Sequence, residues 1–134
     1  MFHAAPIQDM LHGAEMKVSE GRAVYKLVIK KDYFHAAEAL HGAIYFKLLD
    51  DAAYFAAASM EMTYFLLTKS YTLQFIRPVE VDELTATGTI VTVDKDTFVA
   101  KSSIVNSQGK VVATGEGTFV RSKKLLADQV GYIH

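Results

Sequence analysis

Residue types that can do chemistry crowd into one stretch, His35-Ala-Ala-Glu-Ala-Leu-His41-Gly42-Ala43-Ile-Tyr-Phe-Lys-Leu-Leu-Asp50-Asp51. His41-Gly42 falls where a loop gives way to a long apolar segment. The backbone amides of Gly42 and Ala43 are therefore among those with no intrahelical acceptor, at the positive end of the helix dipole. Such amides can polarise a carbonyl or hold an oxyanion, and Gly42 has no side chain to obstruct a ligand's approach. The same residues also fit an ordinary helix start with a packed histidine. Asp50 shares a helix face with Ala43, Phe46, Ala53 and Ala57, and a carboxylate among small, apolar neighbours is either buried at a cost or borders a cavity. Asp51 points about 100° away and has Lys47 four residues before it, which reads as an ion pair at the helix rim.

The remaining histidines say less. His35 lies in the loop ahead of the helix, where it could hydrogen-bond a carbonyl, move a proton or simply face solvent. His3, His12 and His134 have no second ligand-type residue at metal spacing, so no metal and no cofactor are expected.

Positioning these groups requires a framework. The 134 residues are 51% hydrophobic with a formal charge of −1 and no cysteine. That fits one globular domain able to bury a core. It argues against a dedicated nucleic-acid binder, and it excludes disulfide scaffolds, cysteine nucleophiles, thiolate zinc sites and iron–sulfur clusters. The first residues carry no basic region followed by a long apolar run, so no secretory signal is expected and a cytoplasmic location is. The most apolar stretch, Ala43 to Ser59, contains Lys47, Asp50 and Asp51, too many charges for a membrane span.

Loose alternation from Ala14 to Lys30 around Glu20-Gly21 predicts two strands and a tight turn. From Gly42 to about Met60 there is neither Pro nor further Gly, and propensity predicts a long helix. Nearly every face of it is apolar, so other elements must wrap it. Strands are expected over Lys69 to Ile76, Glu83 to Val93, Thr97 to Val105 and Lys110 to Arg121, with turns at Arg77-Pro78, Asp94-Lys95-Asp96 and Asn106 to Gly109. Short links imply antiparallel neighbours. The expected class is α+β: one sheet curled around one helix.

The chain resembles the hotdog-fold acyl-CoA thioesterases of the phenylacetate-pathway (PaaI-like) type. The residues carrying the resemblance are His41-Gly42-Ala43 with Asp50 nine residues after the His, the strand from Thr68 to the Arg77-Pro78 turn, Asp82-Glu83-Leu84, and Gly109 through Gly115-Glu116-Gly117 to Phe119. The resemblance implies a long central helix wrapped by a curved antiparallel sheet of about five to six strands. It also implies a homo-oligomer, at least a dimer and possibly a tetramer in the family's manner, with sites at the subunit interface. By the same resemblance Asp50 acts as general base or nucleophile on a thioester, the Gly42 amide polarises its carbonyl, and His41 shapes the turn. Thr68 occupies the place of a hydroxyl that often reaches in from the partner chain to hold water. Two positions depart from the family pattern: its second glycine is Ala43 here, narrowing the space beside the thioester, and an Asn or Gln is replaced by His35.

An acyl-CoA or acyl-carrier-protein substrate needs cations for its phosphates, and Arg77, Arg121, Lys123 and Lys124 are candidates, although solvated surface charge is the simpler reading of each. Tyr54, Phe55, Tyr64 and Phe65 could line an acyl pocket or belong to the core. Two other functions stay open: a non-catalytic acyl-CoA sensor, which would need no base, and a hotdog dehydratase or hydratase. The latter favours a more Pro-rich loop than the proline-free stretch from His35 to Asp50.

Overall fold

Why the apolar helix is stable follows from what surrounds it. The computed structural model describes residues 15–28, 42–79 and 83–125. In chain order these form β1 (Glu15–Ser19), β2 (Arg22–Val28), α1 (Gly42–Ala58), β3 (Tyr64–Phe75), β4 (Glu83–Asp94), β5 (Thr97–Val105) and β6 (Val111–Leu125). The strands make one antiparallel six-stranded sheet in the order β1-β2-β4-β5-β6-β3. Every strand therefore offers one face to α1 and one away from it.

The expected class holds, with differences in detail, among them that β6 runs on to Leu125, past Arg121. The helix stops at Ala58, two residues short of Met60, where Ser59 Oγ turns back to donate to the Ala56 carbonyl. Strand β3 begins at Tyr64, well before Lys69. Consecutive strands β3 and β4 are not neighbours either, because β3 crosses to pair with β6. The segment between them, beginning with Ile76, is too long to act as a hairpin turn.

Alternation decides what is buried. Ala23, Tyr25 and Leu27 of β2, Leu84 and Ala86 of β4, and Phe98, Ala100 and Ile104 of β5 all face the helix and are fully buried. From the helix come Leu48, Leu49, Ala52, Ala53, Ala56 and Ala57. The alanines permit close approach, and at one point the approach is extreme. A Cβ on Gly88 of β4 would lie 2.0 Å from the Ala52 carbonyl oxygen and 2.7 Å from the Ala53 nitrogen, so only glycine lets strand and helix backbones touch there.

Strand β3 carries a register irregularity. Thr68 pairs with Phe119, and the next pairing is Ser70 with Thr118, which leaves Lys69 without an opposite residue. Such a bulge reverses which residues face inward. Thr68 and Tyr71, three apart, consequently both lie opposite inward-facing positions of β6, Phe119 and Gly117. In a regular strand they would point to opposite faces.

Candidate active site

Asp50 sits in the third turn of α1, half-buried. Its Oδ1 accepts a hydrogen bond from Thr68 Oγ1 at 3.1 Å. The bond lies within one chain. Burial pushes the Asp50 carboxyl up to about 6. The Thr68 hydroxyl pulls it down, the Asp51 charge pushes it further up, and Lys47 opposes the rise. A carboxylate with a pKa near 6 is matched to accepting a proton at neutral pH and giving it up again.

Tyrosines flank it. Tyr54, one turn further along the helix, donates its hydroxyl to the Leu66 carbonyl at 2.7 Å, and its ring packs against Phe55, Phe65 and Phe119. Its side chain is thus built into the core beside β3, two residues from Thr68. Burial and the nearby Asp50 charge both raise the Tyr54 phenol. On β3, Tyr71 bonds Ser102, and its ring meets Phe46 edge-on at 5.6 Å. Burial and the Asp50 charge push the Tyr71 phenol up to about 12, against the Ser102 hydrogen bond.

Gly42 opens the helix. A Cβ there would be 3.5 Å from Phe75 Cζ, an ordinary contact, so packing within the chain does not demand glycine at this position. Ala43 is exposed in the first turn. His41 and His35 lie outside the described residues.

Asp51 corrects an expectation. Its carboxylate meets Lys47 Nζ at 2.7 Å, but the two side chains are only 12% and 18% exposed, so this is a largely buried pair and not one at the rim. The candidate phosphate-binding cations also divide. Arg121 is committed to Glu61, to Asp96 and to the Lys95 carbonyl, and lies over the Phe98 ring. Arg77 donates Nε to the Val111 carbonyl at 3.2 Å and is otherwise exposed, as is Lys123; the Lys124 side chain lies outside the description. Sequence reasoning missed Tyr71 and Ser102, although Gly115 and Gly117 on β6, whose missing side chains make room for the Tyr71 ring, were in view.

Residues 37–113 match the model of the thioesterase superfamily. The chain belongs to that superfamily. Acyl-coenzyme A thioesterase PaaI of Escherichia coli K12 is 31% identical over 103 residues, spanning 76% of this chain and 72% of that protein. The solved structure of the E. coli PaaI protein from the phenylacetic acid degradation operon superposes with a TM-score of 0.85 at 28% identity, covering 93% of this chain and 90% of the other. The TT0310 protein of Thermus thermophilus has the same fold, with a TM-score of 0.80 at 22% identity over 88% of this chain and 98% of its own. This is a hotdog-fold thioesterase of the PaaI-like type, one helix wrapped by a curved antiparallel sheet. Among the described residues no helix is long and apolar enough to cross a membrane, and no three His, Cys, Asp or Glu side chains are grouped to hold a metal.

Proposed function

We propose that this thioesterase hydrolyses acyl-CoA thioesters with Asp50 as general base and the Gly42 amide as oxyanion donor. The observation that carries the reading is the half-buried Asp50 carboxylate, pushed up to about 6 and aimed by Thr68. Oδ1 is engaged by the Thr68 hydroxyl, so Oδ2 takes the proton of an attacking water. A C–O bond forms at the thioester carbonyl while the Gly42 N–H stabilises the developing oxyanion. The C–S bond then breaks, and the proton held by Asp50 passes to the departing CoA sulfur. Products are the free acid and the thiol. In this reading His41 shapes the turn at the helix start and His35 supports the substrate. Ala43 narrows the acyl entrance, Tyr54 backs the pocket wall, and Arg77 faces the phosphates of CoA. An acyl-carrier-protein thioester presents the same reacting atoms through the same pantetheine arm.

The protein acts as a homodimer in this reading. Strand β3 ends the described sheet on one side, and Leu67, Phe75 and Ile76 on or beside it are exposed apolar side chains. An unpaired, apolar edge strand is a template for pairing with a second copy. Light scattering at micromolar concentration should give at least twice the chain mass, and a fully active monomer refutes the assignment.

The functional test is a panel of short-chain, long-chain and aryl acyl-CoAs, with CoA release followed by a thiol reagent. Thiol release abolished by Asp50→Asn supports the reading. Tight binding without release would mark a sensor, and appearance or loss of a double bond without release would mark a dehydratase. A single turnover in ¹⁸O-labelled water tests the base role, because label in the Asp50 carboxylate would mark an anhydride opened by water at the Asp50 carbon, which a general base never forms.

A further inference from the structure

Ser102 lies on the helix-facing side of β5 and is buried. Its Oγ donates to the Leu49 carbonyl at 2.8 Å, the backbone group immediately before Asp50. A serine hydroxyl has one proton, so the hydrogen bond between Ser102 Oγ and Tyr71 Oη must be donated by tyrosine. The result is a directed chain: Tyr71 O–H to Ser102 Oγ, then Ser102 O–H to the Leu49 carbonyl. It ties β3, through β5, to the helix turn that bears Asp50.

The fold makes room for this chain at some expense. Cβ atoms on Gly115 and Gly117 would lie 2.4 Å and 2.6 Å from Tyr71 ring atoms, so two side chains of β6 are omitted where the ring lies. The bulge at Lys69 is what turns Tyr71 to the same side as Thr68. One strand therefore holds Asp50 twice, at the carboxylate through Thr68 and at the preceding carbonyl through Tyr71 and Ser102.

We propose that Tyr71 is a positioning residue for Asp50, fixing through Ser102 and the Leu49 carbonyl the helix turn that carries the base. This rests on the reading of Asp50 as the base given above. Tyr71 touches no reacting atom in this role. It holds the helix and β3 in the one relation that keeps the carboxylate half-desolvated and facing Thr68. Relaxing that relation lets Asp50 turn toward water, where its pKa falls toward the ordinary carboxylate range and its distance to the attacking water is no longer fixed. Misplacement on the order of an ångström costs up to about a hundredfold in rate.

Tyr71→Phe keeps the ring between the glycines and deletes the donor, whereas Ser102→Ala cuts the same chain without touching the ring. Both are measured beside Asp50→Asn on the acyl-CoA panel, with kcat and KM followed from about pH 4.5 to 8. For both, kcat should fall by roughly ten- to a hundredfold with KM within about twofold, and the acidic limb of kcat should move to lower pH. Because the two hydroxyls act in series, the double variant should be no slower than Ser102→Ala alone. If Tyr71→Phe does not fold, Ser102→Ala carries the same expectations. A Tyr71→Phe enzyme with unchanged kcat and acid limb, beside an inactive Asp50→Asn, overturns the positioning role and leaves the base assignment standing. Losses that multiply in the double variant, or that match a loss of folded protein, overturn it as well. An active Asp50→Asn enzyme instead refutes the base assignment, and Tyr71's place in the reaction with it.

Discussion

Replacing Asp50 by asparagine should stabilise the protein while removing its activity. A carboxyl that moves from its ordinary 3.8 to about 6 on folding favours its neutral form in the folded state, and the ionised form then costs up to about 3 kcal/mol of stability at neutral pH. Solvent reaches part of the group and screens its charged neighbours, so about 1–2 kcal/mol is the working magnitude. Between about pH 4 and 6 the folded protein holds a proton that the unfolded chain has released, so this group makes stability fall as pH rises through that window. Asparagine has no charge to desolvate, and its Oδ1 can still accept the Thr68 hydroxyl. Urea unfolding at about pH 7.5 should place Asp50→Asn roughly 1–2 kcal/mol above the parent, and at about pH 4 the two should coincide. Over the same comparison kcat at neutral pH should fall by roughly 10² to 10⁴. A variant less stable than the parent at about pH 7.5 would show that the carboxylate supports the fold, and the site assignment would fail.

Asp51→Asn should behave in the opposite sense: it leaves Lys47 largely buried without its partner, so urea unfolding should show a loss of about 1–3 kcal/mol, well beyond a surface pair. Removing the Asp51 charge also eases ionisation of Asp50, so the acid limb of kcat should move down in pH with little change at neutral pH. Thr68→Val, nearly isosteric, deletes the hydrogen bond that lowers the Asp50 pKa; the acid limb should move up and kcat fall about tenfold, and an unmoved limb would show that the contact is idle. Gly88→Ala forces a methyl group against the Ala52 carbonyl, and a melt should show destabilisation of at least about 1–3 kcal/mol from overpacking.

Elements with strong local signals were legible in the sequence. Helix α1 fills Gly42–Ala58, the Pro-free apolar stretch that propensity marks, and β5 spans Thr97–Val105 as its alternation predicts. The start of β3 was not, because Tyr64 to Thr68 is an unbroken mix of aromatic, aliphatic and hydroxyl residues that shows no period of two. Nor was the pairing of β3 with β6, a long-range contact that no turn announces. Within the site, Asp50 stood out because small apolar residues surrounded it on a helix. Asp51 was misjudged because helical spacing reveals its partner Lys47 but not how deeply the fold buries them both. Arg121 could be recognised as basic but not as already committed, since Glu61 is sixty residues away. Tyr71 was invisible for a related reason: its role depends on a bulge and on two absences in β6.

That bulge means the site is addressed by a count of residues as much as by their identity. Deleting Lys69 would remove this irregularity between β3 and β6, leaving the one between Tyr64 and Leu66, and change no chemically active group. It would nonetheless turn either Thr68 or Tyr71 to the outer side of the sheet, since one residue fewer exchanges the two faces beyond that point. A side-chain substitution at position 69, proline apart, leaves the frame intact, whereas a single-codon deletion there parts the two grips on Asp50. Reading frame within the strand, and not the lysine, is what this position contributes.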